Sequence, residues 1–187
     1  MTQQAEPLRS DARQNRERIL EVARDALAAS PHASLNSIAK AAGVGPGTLY
    51  RHFPNRQALV LGVYRQEIGQ LVDLAPALIA KHPPLTALRL WFDRLAHYGR
   101  IKHGLADVLH AAMNDRVLRE TYGPMVGAID LLLRSCEASG KIRDGVDAED
   151  VLLLMGFLWR IVPGRASEAR AARLLDLVID GLQARTD

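Results

Sequence analysis

Apolar side chains recur along this chain at intervals of three and four, and no stretch alternates strictly between apolar and polar as a half-buried strand would. Ile19, Val22, Ala23, Ala26 and Leu27 share one face of a helix predicted over residues 12–29, with Ser10 or Asp11 as its cap and Pro31 beyond its end. Ile38, Ala39 and Ala42 form the stripe of a short second helix from Leu35, capped by Ser34 or Asn36. Gly43 follows, where a helix commonly ends in a left-handed residue that only glycine adopts cheaply. Pro46 suits the first turn of a third helix, since its missing N–H has no partner to lose there. In that helix Leu49 and Phe53 face inward at i and i+4, which leaves Gly47, Thr48, Tyr50, Arg51 and His52 mostly outward.

Pro54 stops the third helix, and Asn55 caps a fourth that begins at Arg56 and carries Leu59, Val60, Val63, Tyr64, Ile68, Leu71 and Val72 inward. Pro76 is expected to kink or end it, and the run His82, Pro83, Pro84 closes it. Helices are then expected over residues 85–98, 104–112 and 115–139, the last as two pieces or with a kink at Gly123 and Pro124. A turn-rich break at 140–144 precedes a helix opened by Asp147 or Asp150 and reading DVLLLMGFLWRIV. That segment is apolar nearly all round, so it must be covered on two sides. A last helix over 168–184 carries Leu174, Leu175, Leu177, Val178, Ile179 and Leu182. The last two helices hold more apolar surface than one small core uses. They are expected to join their copies as a four-helix bundle across a two-fold axis, the alternative being that they only close the protomer core.

The fold expected from this pattern is all-α, with an N-terminal helical module over residues 1–64 and a larger helical domain over 65–187. The short helix, tight turn and outward polar helix between Leu35 and Phe53 form a helix-turn-helix, with donors suited to phosphates and base edges. Charge distribution agrees. Residues 1–65 hold nine Lys and Arg against five acids, an excess of four positive charges, whereas the remainder holds 15 basic and 16 acidic residues. The whole chain is only +3, so the excess positive charge sits at the helix-turn-helix end, as a phosphate-binding surface requires. Arg9, Arg13 and Arg16 lie beside the core face of the first helix, either as a solvated face or as contacts to a DNA backbone.

Other chemistry is sparse. Cys136 is the only cysteine, which excludes an internal disulfide and a cysteine cluster for zinc; it reads as a small buried residue, or else as a redox sensor. His103, Asp107 and His110 share one helical face, and His97 could join them, but such trios usually lie on solvated surfaces and no metal or other cofactor is assigned. GVGPGT lacks the Lys-Ser/Thr ending of a phosphate-cradling loop, and neither G-x-S-x-G nor H-E-x-x-H occurs, so no enzyme is expected. The first sixteen residues lack the apolar core of a signal peptide. The longest uncharged apolar run, residues 151–159, is far below the roughly 20 residues of a membrane span, so a cytoplasmic protein without a membrane partner is expected.

The segment IAKAAGVGPGTLYRHFPNRQAL closely resembles the DNA-binding domain of the TetR-type transcriptional regulators, whose pattern runs loosely IA-x-x-AGV-S-x-GTLY-x-HF-x-x-K-x-x-L. Two positions depart from it: Gly45 stands where serine is usual, and Arg56 stands where lysine is usual. The resemblance implies a homodimeric regulator of a palindromic double-stranded DNA operator. It makes 46–53 the recognition helix. Thr48, Tyr50 and His52 are implied as phosphate contacts, and Arg56 as a cation beside them. Gly45, Pro46 and Gly47 would lie close to the groove, Arg51 would read a base, and Asn36 and Ser37 would hold the backbone. It also implies a C-terminal pocket for a small apolar or amphipathic effector, with Trp91, Leu95, Tyr98, Met113, Tyr122, Met125 and Trp159 bulky enough to line it. Repression relieved by ligand is the expected mechanism; an activator of the same family and a non-specific architectural DNA binder are the alternatives.

Overall fold

The computed structural model describes residues 5–103, 108–109, 111, 115–162, 164 and 166–184. Those residues are almost entirely helical, in the order α1 (Ala5–Ala29), α2 (Leu35–Ala41), α3 (Pro46–His52), α4 (Arg56–Lys81), α5 (Pro84–His103), α6 (Asp115–Ala138), α7 (Ala148–Leu154), a 3-10 turn (Met155–Arg160) and α8 (Ser167–Leu182). They fall into two compact units divided between Gln66 and Glu67, with Val108, Leu109 and Ala111 grouped with the first.

In the first unit α1, α2 and α3 pack on one another and the first turns of α4 complete the core. Ile19, Leu20, Ala23 and Leu27 of α1 meet Ile38 and Ala39 of α2, Leu49 of α3, and Phe53, Leu59, Val60 and Val63. All are buried, and each large aliphatic contributes about 1.5–3 kcal/mol over its exposed state. α1 already includes Ala5, seven residues before the expected start, so Ser10 and Asp11 lie within the helix rather than at its beginning. Pro7 sits within the first turn, where an amide has no intrahelical partner. The polar turns that follow are braced locally: Arg13 Nε donates to Glu17 at 2.9 Å and Arg18 Nη2 to Asn15 at 2.9 Å.

The second unit is built on α5, which packs against α6, the 3-10 turn and α8, while α6 also packs against α7. Trp91, Phe92 and Leu95 of α5, Ile129, Leu132, Leu133 and Cys136 of α6, and Leu175 of α8 make its core. Arg89 fastens α5 to α8: its guanidinium bonds Asp93 one turn on, Asp176, and the Ala172 carbonyl at 3.5 Å. The buried Glu67 carboxylate receives Arg94 Nη2 at 3.2 Å.

Several helix boundaries differ from expectation. Of the kink or end expected at each proline, the end does not occur: α4 continues through Pro76 and α6 through Pro124. Both prolines are exposed, and buried neighbours such as Leu71 and Ala75, or Met125 and Ala128, hold the flanking turns in place. α5 runs to His103, five residues beyond the expected end. The helix expected over 104–112 lies largely outside the described residues, as do Asp107, His110 and the His103 side chain. The single helix expected over DVLLLMGFLWRIV is instead α7, seven residues long, followed by the 3-10 turn. Gly156 weakens helical continuation, and Val162 precedes a proline, a position biased toward extended backbone. Asp147 is the cap of α7, its Oδ1 accepting from Glu149 N at 2.7 Å and Asp150 N at 3.0 Å.

Candidate nucleic-acid interface

The turn between α2 and α3 is set by backbone chemistry. Of the two candidate caps, Ser34 takes the role: its Oγ accepts from Ser37 N at 3.1 Å, while Ser37 Oγ donates to Ser34 O at 2.8 Å. α2 ends in a Schellman motif. Gly43, at φ 66°, donates to Lys40 O at 3.1 Å, and Val44 N reaches Ala39 O at 3.0 Å. Gly45 then caps α3 in extended conformation without a side-chain bond, the result of glycine standing where serine would bring a hydroxyl, and Pro46 is the first helical residue.

α3 is anchored from beneath by Leu49 and Phe53, both buried. Phe53 caps the helix, its N–H donating to Leu49 O at 2.8 Å, and the Arg16 guanidinium lies 5.3 Å from the centroid of its ring. The opposite side is open. Gly45, Pro46, Gly47 and Arg51 are exposed, Tyr50 is 44% exposed, and Thr48 and His52 are half-buried. Asn36 and Ser37 are exposed at the start of α2, although the Ser37 hydroxyl is engaged with Ser34. The structure therefore brings the predicted contact residues onto one two-helix unit with a fixed turn, and it presents a phenol and a guanidinium from neighbouring positions of α3. That arrangement can donate hydrogen bonds to phosphate oxygens and base edges.

Arg56 stands differently. It is the first residue of α4, it is half-buried, and its guanidinium donates to the carbonyls of Ala33, at 2.6 Å, and Pro31. Sequence reasoning missed this role. The one available signal was arginine at a position where lysine is usual in the family pattern.

In the second unit Trp91, Leu95, Tyr98 and Met125 are buried, and Trp159 is half-buried with its ring edge-on to Tyr98 at 5.8 Å between centroids. Trp91 Nε1 donates to Leu71 O at 2.7 Å. Tyr122 is 40% exposed, and Met113 lies outside the described residues. Among the described residues no group of three His, Cys, Asp or Glu is placed to hold a metal ion, and no helix is long and apolar enough to cross a membrane.

Residues 19–63 match the family of bacterial regulatory proteins called the tetR family, and residues 83–184 match the C-terminal domain of SbtR-like transcriptional regulators. Among solved structures, the chain is similar to a TetR transcriptional regulator from Streptomyces coelicolor, with 36% identity and a TM-score of 0.80 over 91% of this chain and 99% of that one. It is also similar to a TetR regulatory protein from Mycobacterium vanbaalenii, with 31% identity and a TM-score of 0.76 over 95% of this chain and all of that one. A fatty acid metabolism regulator protein from Bacillus subtilis is 27% identical over 124 residues, 60% of this chain and 62% of its own length. The chain thus spans less than two thirds of that curated relative, and about a third of a helix-turn-helix regulator from Staphylococcus aureus to which it is 40% identical over 63 residues. With a family match over more than half its length and a helix-turn-helix of this geometry, the chain belongs to the TetR family of DNA-binding transcriptional regulators.

Proposed function

We propose that this regulator is a cytoplasmic homodimeric repressor that holds a palindromic operator and releases it when a small apolar or amphipathic molecule binds. Residues 1–64 serve as the DNA-binding domain and 65–187 as the effector-binding and dimerisation domain. The observation that carries the reading is the exposed face of α3, where Tyr50 and Arg51 project from a helix whose start is fixed by a Schellman turn and Pro46. Thr48, Tyr50 and His52 bind phosphates, Arg51 reads a base edge, Gly45, Pro46 and Gly47 approach the groove, and Asn36 and Ser37 position the backbone.

Two-fold symmetry is needed because one seven-residue helix buries too little to select a site, whereas a dimer reads two half-sites a helical turn apart. Exposed leucines in the last two helical segments support it: Leu153 is 78% exposed and Leu177 67% exposed, more apolar surface than an isolated protomer leaves to water without cause. The buried aromatic side chains of α5, with Met125 and Trp159, supply the apolar lining for the effector. Release follows when that effector has higher affinity for the state that cannot bind DNA.

In-vitro selection of duplexes by the wild-type protein, with Tyr50→Ala beside it, tests the reading. Enrichment of an inverted repeat that the variant loses is the expected result. Enrichment of no motif, or equal binding by Tyr50→Ala, overturns it in favour of non-specific binding.

A further inference from the structure

Arg56 joins two parts of the helix-turn-helix that are distant in sequence. Its Nη1 donates to Ala33 O at 2.6 Å and its Nη2 to Pro31 O, carbonyls 23 and 25 residues earlier, in the non-helical link between α1 and α2. Ala33 immediately precedes Ser34, the residue whose hydroxyl and carbonyl receive Ser37 N and Ile38 N, both at 3.1 Å, and so start α2. At the other end, Arg56 follows Asn55, whose Oδ1 caps α4 by accepting from Ala58 N at 2.8 Å, and Asn55 lies two residues after Phe53, the cap of α3. One planar side chain therefore ties the entry of α2 to the exit of α3.

We propose that Arg56 is a positioning residue for DNA binding, a clamp that fixes α2 and α3 as one rigid reader, rather than the phosphate contact expected from the sequence resemblance. The chemistry suits arginine alone. Its guanidinium presents donors in a fixed fork that spans two carbonyls, whereas the lysine usual at this position carries a compact ammonium able to hold a phosphate as a point charge. The inference rests on the DNA-binding reading of α3, and it predicts that the positive charge at position 56 is not what binding uses.

The test compares full-length wild type, Arg56→Lys and Arg56→Gln on a fluorescent duplex recovered by selection, titrated over a range of salt concentrations. Amide hydrogen exchange is followed at Ser37 and Ile38. Expected is a loss of about tenfold in affinity for both variants, the scale of one charge-assisted hydrogen bond, with an unchanged slope of log K against log salt. Faster exchange at Ser37 and Ile38 should accompany it. If Arg56→Lys binds like wild type while Arg56→Gln lowers the slope by about 0.9 per lost phosphate contact, Arg56 is a phosphate ligand and the inference falls. Variants that melt earlier yet bind with wild-type affinity also overturn it, since the role would then be structural only. A wild-type protein that binds no duplex overturns the DNA-binding reading and this inference together, whereas a wild type that binds while Arg56→Lys is unaffected overturns this inference alone.

Discussion

Phe53 lies against the backbone of Gly62. A Cβ built at Gly62 would fall 2.8 Å from Phe53 Cε1 and 2.9 Å from Leu20 Cδ2, distances at which something must move. The glycine in α4 thus lets the cap of α3 and a core leucine of α1 approach the α4 backbone directly.

Gly62→Ala sets two effects against each other. Alanine favours helix over glycine by about 1 kcal/mol in a helix interior. Overpacking a filled site costs about 1–3 kcal/mol. Packing should win, because the nearer obstacle is a buried aromatic ring that also stacks with the Arg16 guanidinium 5.3 Å from its centroid. The expected outcome is a lower melting temperature for the variant and weaker DNA binding, as Phe53 is pushed and α3 shifts with it. A variant that melts higher than wild type would show that the site yields at no cost.

What the sequence made legible was local chemistry. Gly43, Pro46 and the cap choices around Ser34 and Asp147 follow rules that act over one or two turns, and the helix-turn-helix could be drawn from them. The first turns of α1 were missed because residues 5–11 carry no apolar stripe at helical spacing from which a helix could be read. At Pro76 and Pro124 the sequence left a kink and a break open because proline removes a backbone bond locally, while packing of the flanking turns decides whether the helix goes on. The partners of Arg56 were invisible for a different reason: a contact across 23 residues leaves no periodic trace.

Leu177 and Leu153 provide a direct test of the proposed dimer. Burying two such side chains contributes about 1.5–3 kcal/mol each, and a two-fold axis doubles the sum. Leu177→Glu should leave the protomer folded, since that side chain is exposed, yet yield monomers by light scattering and lose cooperative operator binding. A dimer that persists in the double variant Leu153→Glu, Leu177→Glu would place the interface elsewhere.

Cys136 is fully buried in α6, and its thiol is pushed up to about 11 by burial, with the neighbouring Glu137 carboxylate adding to the shift. Below pH 9 this leaves about a hundredfold less thiolate than at the ordinary value of 9.0, and the thiolate is the reactive form. The raised folded-state value stabilises the native chain fully below pH 9, and that contribution is lost as pH rises toward 11. A thiol reagent at pH 8 should therefore react slowly with native protein and at once after denaturation. Rapid native labelling would restore the redox-sensor reading.

Gly99 stands to Trp159 as Gly62 stands to Phe53. A Cβ at Gly99 would lie 2.9 Å from Trp159 Cζ3, 3.0 Å from its Cε3 and 3.6 Å from Leu158 Cβ. The indole also makes a T-shaped contact with Tyr98, the preceding residue of α5, so both a bare backbone and an aromatic ring help to locate it. Gly99→Ala must displace the indole toward solvent or push the 3-10 turn off α5. Emission from Trp159, isolated by subtracting the spectrum of Trp159→Phe, should shift to the red in Gly99→Ala. Melting should fall by about 2–4 °C for each kcal/mol lost, as for chains of this size. Trp91 serves as the internal control, because its indole N–H stays bonded to Leu71 O at 2.7 Å and its own emission should not move. If the effector pocket is built on these aromatic side chains, Gly99→Ala must also weaken ligand-induced release of DNA, while affinity for DNA without ligand stays unchanged. Retained release together with a displaced indole would remove Trp159 from the pocket.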